Sequence, residues 1–255
     1  MDLNCEHIAA VVTETVLTLG IRRPEKKNAL TGAMYKAMTK ALQQAQARED
    51  IRVVVLQSEA DCFTAGNDLA DFHDRAPQEN PAKGPALSFI GELAALDKPI
   101  VAAVNGLAVG VGTTMLLHCD FVYAGRSAQL RTPFIDLGLC PEAASSLLLP
   151  LIAGPRRANR MLLLGETLTA EEAQACGLVT GIVADAELHG YARAQALKLA
   201  AKPPRALADS KRLLKRVWAE QVRRTIALEG ELFGQLLRMP EAQAIIASFL
   251  NRHPA

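Results

Sequence analysis

The chain has 255 residues, of which 50% are hydrophobic, so it is long enough to bury a substantial core. Its 28 basic and 27 acidic residues leave a net charge of +1, and aromatic residues make up only 4%. This balance provides neither the positive field that binds nucleic acid or an anionic membrane nor the aromatic platforms that stack on bases. We therefore expect neither a nucleic-acid nor a membrane partner.

The cysteines and the N-terminus indicate the cellular compartment. The cysteines are odd in number, widely spaced and without a CxxC pair: Cys5, Cys62, Cys119, Cys140 and Cys176. This pattern argues against a disulfide framework and a zinc site, so no metal is expected. The N-terminal MDLNCEHIAA lacks the basic segment of a secretory signal, and no apolar run reaches the about 18 residues of a membrane span. The sequence predicts a cytoplasmic protein.

The first half of the chain alternates strand and helix patterns. HIAAVVTETVLTLG at 7–20 predicts a hairpin or a pair of edge strands. Strands buried on both faces are predicted by three compact β-branched runs, at 51–58, 99–106 and 120–125. Helices are predicted at 32–50, with Thr31 as the N-cap, and at 86–97. Strands that alternate with helices indicate the α/β class.

The composition changes after about residue 140, where Ala, Leu, Arg and Glu become frequent. TAEEAQACG predicts a short helix that Thr169 caps and Gly177 ends. Two long amphipathic helices are predicted at 204–220 and 221–239.

These patterns divide the chain into an α/β core over residues 1–195 and a C-terminal helical region over residues 196–255. The proline-rich, polar segment 74–85 is the best linker candidate, and we interpret it as a mobile loop within the core.

Two glycine-containing turns follow predicted strands, CFTAGNDLADF at 62–72 and NGLAVGVGTTMLL at 105–117. Such turns can expose backbone N–H groups to an anion or a developing oxyanion. They are not a P-loop, because no Lys follows Gly112, and they are not a dinucleotide fingerprint, because Met115 stands where the third Gly is required. Considered alone, either turn is better explained by ordinary turn chemistry.

Four segments in this order, FTAGNDL, KPIVAAVNGLAVGVG, CDFVYAG and LTAEEAQACGLV, closely resemble the enoyl-CoA hydratase/isomerase (crotonase) superfamily. The resemblance covers about residues 15–250. It implies a spiral of ββα units, a C-terminal helical trimerisation region and a homotrimer or homohexamer. It also implies an acyl-CoA thioester substrate, with coenzyme A as part of the substrate and no separate cofactor.

The resemblance implies an oxyanion site built from two main-chain N–H groups, those of Asn67 and Val111. Because these donors belong to the backbone, the side chains at both positions are expected to be free to vary. The resemblance also assigns residues to binding of the CoA thioester: Ala65, Gly66, Asn67, Asp68, Leu69, Gly110, Val111, Phe134 and Leu139.

The acidic residues distinguish the reactions of this family. Hydratases of the family use two glutamates, and the corresponding places here hold Thr114 and Phe134. The remaining acid is Glu142, in a TPFIDLGLCPEAASSLLLP string that resembles the peroxisomal type of Δ3,Δ2-enoyl-CoA isomerase, in which one glutamate shuttles a proton. The resemblance therefore implies an isomerase that converts 3-enoyl-CoA into 2-trans-enoyl-CoA. Other crotonase-type reactions, such as hydration or thioester hydrolysis, and a non-catalytic acyl-CoA-binding protein stay open.

The local sequence predicts two opposite effects on the pKa of Glu142. Pro141 is typical of the first position of a helix, which would place Glu142 in the first turn, where the helix dipole stabilises a carboxylate by about 0.3–1 kcal/mol. Burial among apolar neighbours would raise its pKa, by roughly 3–5 units if burial were complete. We expect burial to dominate if the site is dry. On spacing alone, Glu142 could equally be an ordinary acid at a helix start.

Several other polar residues have structural interpretations. His118 lies in an apolar run, so we interpret it as a core histidine, and Asp68 could cap its own turn or orient the first glycine turn. We interpret Ser145 and Ser146 as small residues that allow close packing. Two basic clusters could meet CoA phosphates or simply face solvent: Arg22, Arg23, Lys26 and Lys27, and Lys211, Arg212, Lys215 and Arg216.

Overall fold

The computed structural model describes residue 1 and residues 3–71 and 84–252. Nearly all of the predicted 74–85 loop lies outside the described residues; Gly84 and Pro85 form the start of a helix. The strands are β1 Ile8–Thr13, β2 Val16–Ile21, β3 Val53–Ser58, β4 Ile100–Val104, β5 Leu107–Val109, β6 Phe121–Gly125, β7 Gln129–Arg131, β8 Leu168–Thr169 and β9 Gly181–Val183. The helices are α1 Gly32–Ala47, α2 Pro85–Ala95, α3 Val111–Thr114, α4 Ser145–Ala153, α5 Pro155–Leu164, α6 Ala170–Ala175, α7 Leu188–Ala200, α8 Pro204–Lys215, α9 Ala219–Leu237 and α10 Pro240–Arg252.

The larger sheet contains six strands in the order β1-β2-β3-β4-β6-β9. The predicted hairpin forms β1 and β2, which pair antiparallel, while the remaining neighbours are parallel. Strands β3 and β4 are buried almost throughout, as the β-branched runs predict. The α/β class is thereby confirmed. The short edge strand β9 was not predicted, because three residues carry no periodic signal.

Helices cover both faces of this sheet and bury its side chains. One face packs against α1 through residues such as Met34 and Met38, and α1 also contacts α2. The other face packs against the Ala-rich side of α7, through Ala192 and Ala196. Thr31 caps α1 by accepting a bond from the Met34 N–H, as predicted.

A smaller sheet has three strands in the order β5-β7-β8. The sequence analysis did not predict it. Its strands have only two or three residues each, too few for a periodic pattern. The helix that follows β8 has the predicted capping box, in which the Thr169 side chain and the Glu172 side chain each accept a backbone N–H. This sheet matters for function because β5 leads directly into the second glycine turn.

The C-terminal part of the chain is helical, as predicted, and its helices return to the core. Helix α9 contacts α2, α4 and α10. The two long helices separate at 216–218 rather than after residue 220, and no Gly or Pro marks that break. The predicted division at residue 195 falls inside α7, a helix that packs on the sheet, and it stays a prediction.

A buried lysine joins α8 to the larger sheet. Lys211 is 7% exposed, and its Nζ donates to the Lys98 carbonyl and to the Asp120 carboxylate, each at 2.7 Å. Asp120 also accepts from the Ile100 N–H at 2.8 Å. Lys211 therefore binds the start of β4 and cannot reach a phosphate of CoA while this network is intact.

We expect Lys211→Met to reduce the free energy of unfolding by roughly 3 kcal/mol, because it leaves the half-buried Asp120 carboxylate without its nearest cation. Arg205→Met on the same helix is the control, since its ion pair with Asp209 is exposed and is expected to contribute less than about 1 kcal/mol. Urea unfolding at neutral pH measures both. Equal losses in the two variants would show that the buried ion pair contributes no more to stability than the exposed one.

None of the helices within the described residues is both long enough and apolar enough to cross a membrane.

Candidate active site

The first glycine turn is held beside β5. The Thr64 N–H donates to the Leu107 carbonyl, and the Val109 N–H donates to the Thr64 carbonyl, both at 3.0 Å. These bonds form a parallel bridge between Thr64 and Ala108. Three residues further along each segment lie Asn67 and Val111, so the two turns reach the same edge of the structure.

The two turns touch at a position that only glycine can occupy. Gly66 has φ +91°, and a Cβ built on it would lie 2.8 Å from the Val109 carbonyl oxygen. Gly110 also has a positive φ, of +57°, where the chain turns into α3. Both glycines are therefore required by backbone conformation, and Gly66 additionally by close approach.

In the first turn, the Asn67 amide stands out because its neighbours are already bonded. The N–H groups of Ala65, Gly66 and Asp68 donate to Lys27 O, Thr64 Oγ1 and Leu30 O, at 2.9, 3.1 and 2.9 Å. The Asn67 N–H donates to no residue in the described part of the chain. It is thus a free donor in an otherwise saturated turn.

In the second turn, the Gly110 N–H donates to the Arg131 carbonyl at 2.8 Å. Val111 is the first residue of α3, so its N–H has no partner within the helix, and it forms no bond with a described residue outside it. The predicted oxyanion pair, Asn67 and Val111, therefore consists of two unbonded amides on adjoining turns.

Side chains fix the first turn. The Tyr35 hydroxyl donates to Asn67 Oδ1 at 2.6 Å, so the Asn67 side chain is held in place, and its freedom to vary stays a prediction. Asp68 accepts from the N–H groups of Ala70 and Asp71. Burial opposes its ionisation, but its ion pair with Arg23 at 2.6 Å and these N–H bonds keep the pKa of Asp68 below the ordinary value.

Glu142 contacts α3 at Thr114, one helical turn after the Val111 amide. Its side chain is buried, with 9% of the residue exposed, and its Oε1 accepts a hydrogen bond from the Thr114 hydroxyl. Val111 and Thr114 are separated by three residues in α3 and so share a helix face. Thr114, which stands where hydratases hold a glutamate, is therefore a direct partner of the remaining acid.

The prediction that Glu142 lies in the first turn of a helix was wrong. Helix α4 begins at Ser145, and Ala143 and Ala144 adopt left-handed conformations with φ of 59° and 57°. Pro141 and Glu142 precede this turn in irregular backbone. The helix dipole therefore contributes little to the Glu142 carboxylate, since that effect is confined to the first turn.

Burial dominates the ionisation of Glu142, as expected for a dry site. Burial is the largest cause that raises the pKa of Glu142, the charge of Glu229 adds to it, and the Thr114 hydrogen bond acts in the opposite direction; together they raise this pKa to about 7. A carboxyl group with a pKa near 7 can both accept and return a proton at neutral pH.

This pKa predicts how stability depends on pH. Because burial raises the pKa of Glu142 from 4.5 to about 7, the folded protein holds a proton that the unfolded chain releases within this window. Wild type should therefore lose up to about 3 kcal/mol of stability, relative to Glu142→Gln, as pH rises from 4.5 through 7. Urea unfolding of both proteins between pH 5 and 8 measures the difference. A difference that stays constant across this range would contradict the raised pKa.

Phe134 and Leu139 lie in the loop that precedes Glu142. Phe134 is buried, its ring lies 3.7 Å from a Cβ built on Gly110, and it packs edge-on against Phe233 of α9 at 6.3 Å. Leu139 is buried, and its N–H donates to the Phe134 carbonyl at 2.9 Å. Leu69 of the first turn is half-buried and packs on the core. An apolar loop thus lies against the second glycine turn.

The remaining polar residues near the site have local structural explanations. His118 is a core histidine as interpreted, with its Nε2–H donating to the Ala143 carbonyl at 2.9 Å, and burial lowers its pKa to about 4. Asp136 forms an exposed ion pair with Arg131 at 2.7 Å. Ser145 Oγ is buried and forms no hydrogen bond with any described residue, so no base activates it.

The basic clusters are partly occupied within the chain. Arg22 donates to the Glu6 carbonyl, Arg23 pairs with Asp68, Arg212 pairs with Asp97, and Lys215 donates to the His118 carbonyl. Within residues 1, 3–71 and 84–252, no group of three or more His, Cys, Asp or Glu side chains is arranged to hold a metal ion.

Comparison with known proteins agrees with this architecture. The sequence matches the enoyl-CoA hydratase/isomerase family over residues 12–255. Enoyl-CoA delta isomerase 2 of Homo sapiens is 34% identical over 97% of the chain, but the chain spans only 64% of that protein. The 2,3-dehydroadipyl-CoA hydratase of Escherichia coli is also 34% identical, over 94% of the chain and 93% of the relative.

Comparison with solved structures also supports this fold. The chain is 43% identical to Pseudomonas aeruginosa OdaA, with a TM-score of 0.93 over 97% of this chain and 100% of that one. The predicted crotonase-like fold, with its C-terminal helical region, is therefore confirmed. With its family match extending from residue 12 to residue 255, this chain belongs to the enoyl-CoA hydratase/isomerase family.

Proposed function

We propose that this protein is a Δ3,Δ2-enoyl-CoA isomerase, which moves a cis or trans 3-enoyl double bond to give 2-trans-enoyl-CoA in fatty-acid or related acyl-CoA metabolism. The observation that carries the proposal is the buried carboxylate of Glu142, which is hydrogen-bonded to Thr114, one helical turn after the unbonded Val111 amide. A 1,3-proton shift needs one base, whereas hydration in this family uses two glutamates.

The first step is removal of a proton from C2, which the neighbouring thioester makes acidic. Glu142 takes this proton as a carboxylate, and the electron pair forms a dienolate with its charge on the thioester oxygen. The Asn67 and Val111 N–H groups donate to that oxygen, and each such donor is worth about 2.7–4 kcal/mol in other oxyanion sites. Preorganised amides suit this task because they need no rearrangement as the charge develops.

The second step returns the proton to a different carbon. Protonated Glu142 donates to C4, the C3–C4 double bond becomes a C2–C3 double bond, and Glu142 is a carboxylate again. The pKa of Glu142, about 7 because of burial, favours this exchange at neutral pH. The sequence of steps transfers protons only, so the proposal includes no metal and no cofactor beyond the coenzyme A of the substrate.

Hydration is the second candidate, because the hydratase from E. coli is as similar as the human isomerase. The positions of the two hydratase glutamates argue against it. Phe134 has no group that can move a proton, and the Thr114 hydroxyl is already engaged with Glu142. A protein with this site would lack the second group needed to activate water.

The decisive experiment compares two reactions of one protein. Conversion of 3-hexenoyl-CoA is followed by the thioenoyl absorbance of its conjugated product, and hydration of 2-hexenoyl-CoA by loss of the same absorbance. We expect rapid conjugation and slow hydration. Hydration without conjugation would replace the proposal by the second candidate, and tight binding of both thioesters without turnover would indicate a non-catalytic acyl-CoA-binding protein.

The homotrimer or homohexamer implied by the family stays part of the proposal. Large apolar side chains are exposed near the junction of α8 and α9, including Leu214 at 81% and Val217 at 60%. Sedimentation velocity would test the assembly, and a monomer at micromolar concentration would contradict it.

A further inference from the structure

A second buried acid lies close to Glu142 but takes no part in the proposed proton transfer. Glu229, on α9, is 5% exposed and forms no ion pair within the described residues. Its carboxylate instead accepts the Ala144 N–H at 2.5 Å and the Ser146 N–H at 2.9 Å. Burial of a carboxylate is costly unless such donors compensate it, so these bonds indicate a specific role.

The two donors lie in the turn that follows Glu142. Ala143 and Ala144 both have left-handed conformations, which cost roughly 1–2 kcal/mol for each residue with a side chain. The turn is held from two sides. Glu229 binds the Ala144 amide, and the His118 Nε2–H donates to the Ala143 carbonyl at 2.9 Å. Glu142 is attached directly to this turn, so its direction depends on these contacts.

Helix α9 is itself fixed where Glu229 projects from it. Next to Glu229, Gly230 packs so closely on α2 that a Cβ there would lie 2.9 Å from Leu87 Cδ2. On the other side, the Cys140 thiol approaches the Glu229 carbonyl at 4.0 Å. Glu229 is therefore set between the core helices and the loop that carries Glu142.

We propose that Glu229 is a positioning residue for Glu142, because it holds in place the left-handed turn at 143–144 that directly follows Glu142. This inference rests on the proposed function, because it assigns Glu142 as the proton carrier.

The charges of the groups around Glu142 support the same assignment. Burial lowers the pKa of His118 to about 4 and raises that of Cys140 to about 11, so both are neutral at pH 7. Lys215 of α8 donates to the His118 carbonyl and pairs with Asp120. Burial also raises the pKa of Glu229, while its hydrogen bonds from Ala144 and Ser146 act in the opposite direction. When Glu229 is ionised, its charge adds to the effect of burial and raises the Glu142 pKa.

Glu229→Gln tests the proposal, with Glu231→Gln on the same helix as the matched control. Glu231 is exposed and its carboxylate accepts only from Gln235 within the described chain. For wild type and the control, kcat/KM for 3-hexenoyl-CoA should rise with pH through about 7 as Glu142 ionises. Glu229→Gln should lower kcat by about 10- to 100-fold and move this rise to lower pH by roughly half a unit to one unit.

A spectroscopic measurement keeps the test independent of activity. With ¹³C-labelled glutamate carboxyls, the Glu142 signal is assigned by its loss in Glu142→Gln and titrated in wild type and in Glu229→Gln. The proposal requires a lower Glu142 midpoint in Glu229→Gln. An unchanged midpoint, even with reduced kcat, would overturn it, because Glu229 would then be purely structural. If wild type has no isomerase activity, the proposed function fails while this titration still decides the inference.

Discussion

Glu142→Gln is expected to lower kcat for 3-hexenoyl-CoA by at least about 10³-fold while the protein keeps its fold. The same carboxyl group takes the proton from C2 and returns it to C4, so the substitution removes the base and the acid together, and one such group contributes about 10²–10⁴-fold. Gln is nearly isosteric and can still accept the Thr114 hydroxyl. Binding of the thioester, and therefore KM, should change little.

The control for this variant is Asp136→Asn, which neutralises a nearby acid in an exposed ion pair with Arg131. It should retain wild-type kcat within about twofold, since surface ion pairs contribute little. The measurement is the initial rate of conjugation, together with far-ultraviolet circular dichroism to verify the fold. If Glu142→Gln remained fully active, Glu142 would not be the proton carrier and the proposed reaction would have to be abandoned.

Gly66→Ala is expected to have the second largest effect, because it disturbs the first oxyanion turn. The added Cβ would lie 2.8 Å from the Val109 carbonyl oxygen, and φ of +91° is unfavourable for any residue with a side chain. Relief of the clash must shift either Gly66, and with it the Asn67 amide, or the segment that leads to Val111. Loss of one oxyanion donor lowers kcat by about 10²–10³-fold. The strain should also reduce the free energy of unfolding by roughly 1–3 kcal/mol.

Gly91→Ala provides the matched control. Gly91 lies within α2, and a Cβ built there meets no atom within 4 Å. The substitution should leave kcat unchanged and stabilise the protein by up to about 1 kcal/mol, because Ala favours helix over Gly. Both variants are compared by conjugation rate and by urea unfolding. If Gly66→Ala retained the wild-type kcat, the Asn67 amide would not contribute to the reaction.

Much of the fold could be predicted from local patterns. The hairpin at 7–20, the buried strand run at 51–58 and the capped helix after Thr31 all carry signals within a few residues, such as period-two alternation or an N-cap. The three-residue strands β5 and β9 were missed because nothing in so short a segment distinguishes a strand from a loop. They form strands only because the folded chain places a partner beside each of them, β7 beside β5 and β6 beside β9.

The candidate site was predictable where the backbone itself is the functional group. Gly66 and Gly110 mark turns that need positive φ, and those turns expose the Asn67 and Val111 amides. The environment of Glu142 was less predictable. Pro141 is a frequent first residue of a helix, yet the helix begins only at Ser145, because the intervening turn is held by residues distant in the chain.

The sequence by itself determined the α/β class and the two glycine turns, because each of these depends on residue type and short spacing. Its resemblance to the family implied that one acid stands where hydratases of the family have two. Only the tertiary structure decided the environment of that acid. The Thr114 hydroxyl, 28 residues from Glu142, binds its carboxylate, and Glu229, 85 residues from Ala144, binds the turn beside it. Burial and neighbouring charge, which set the basicity of Glu142, arise only when these distant segments pack together.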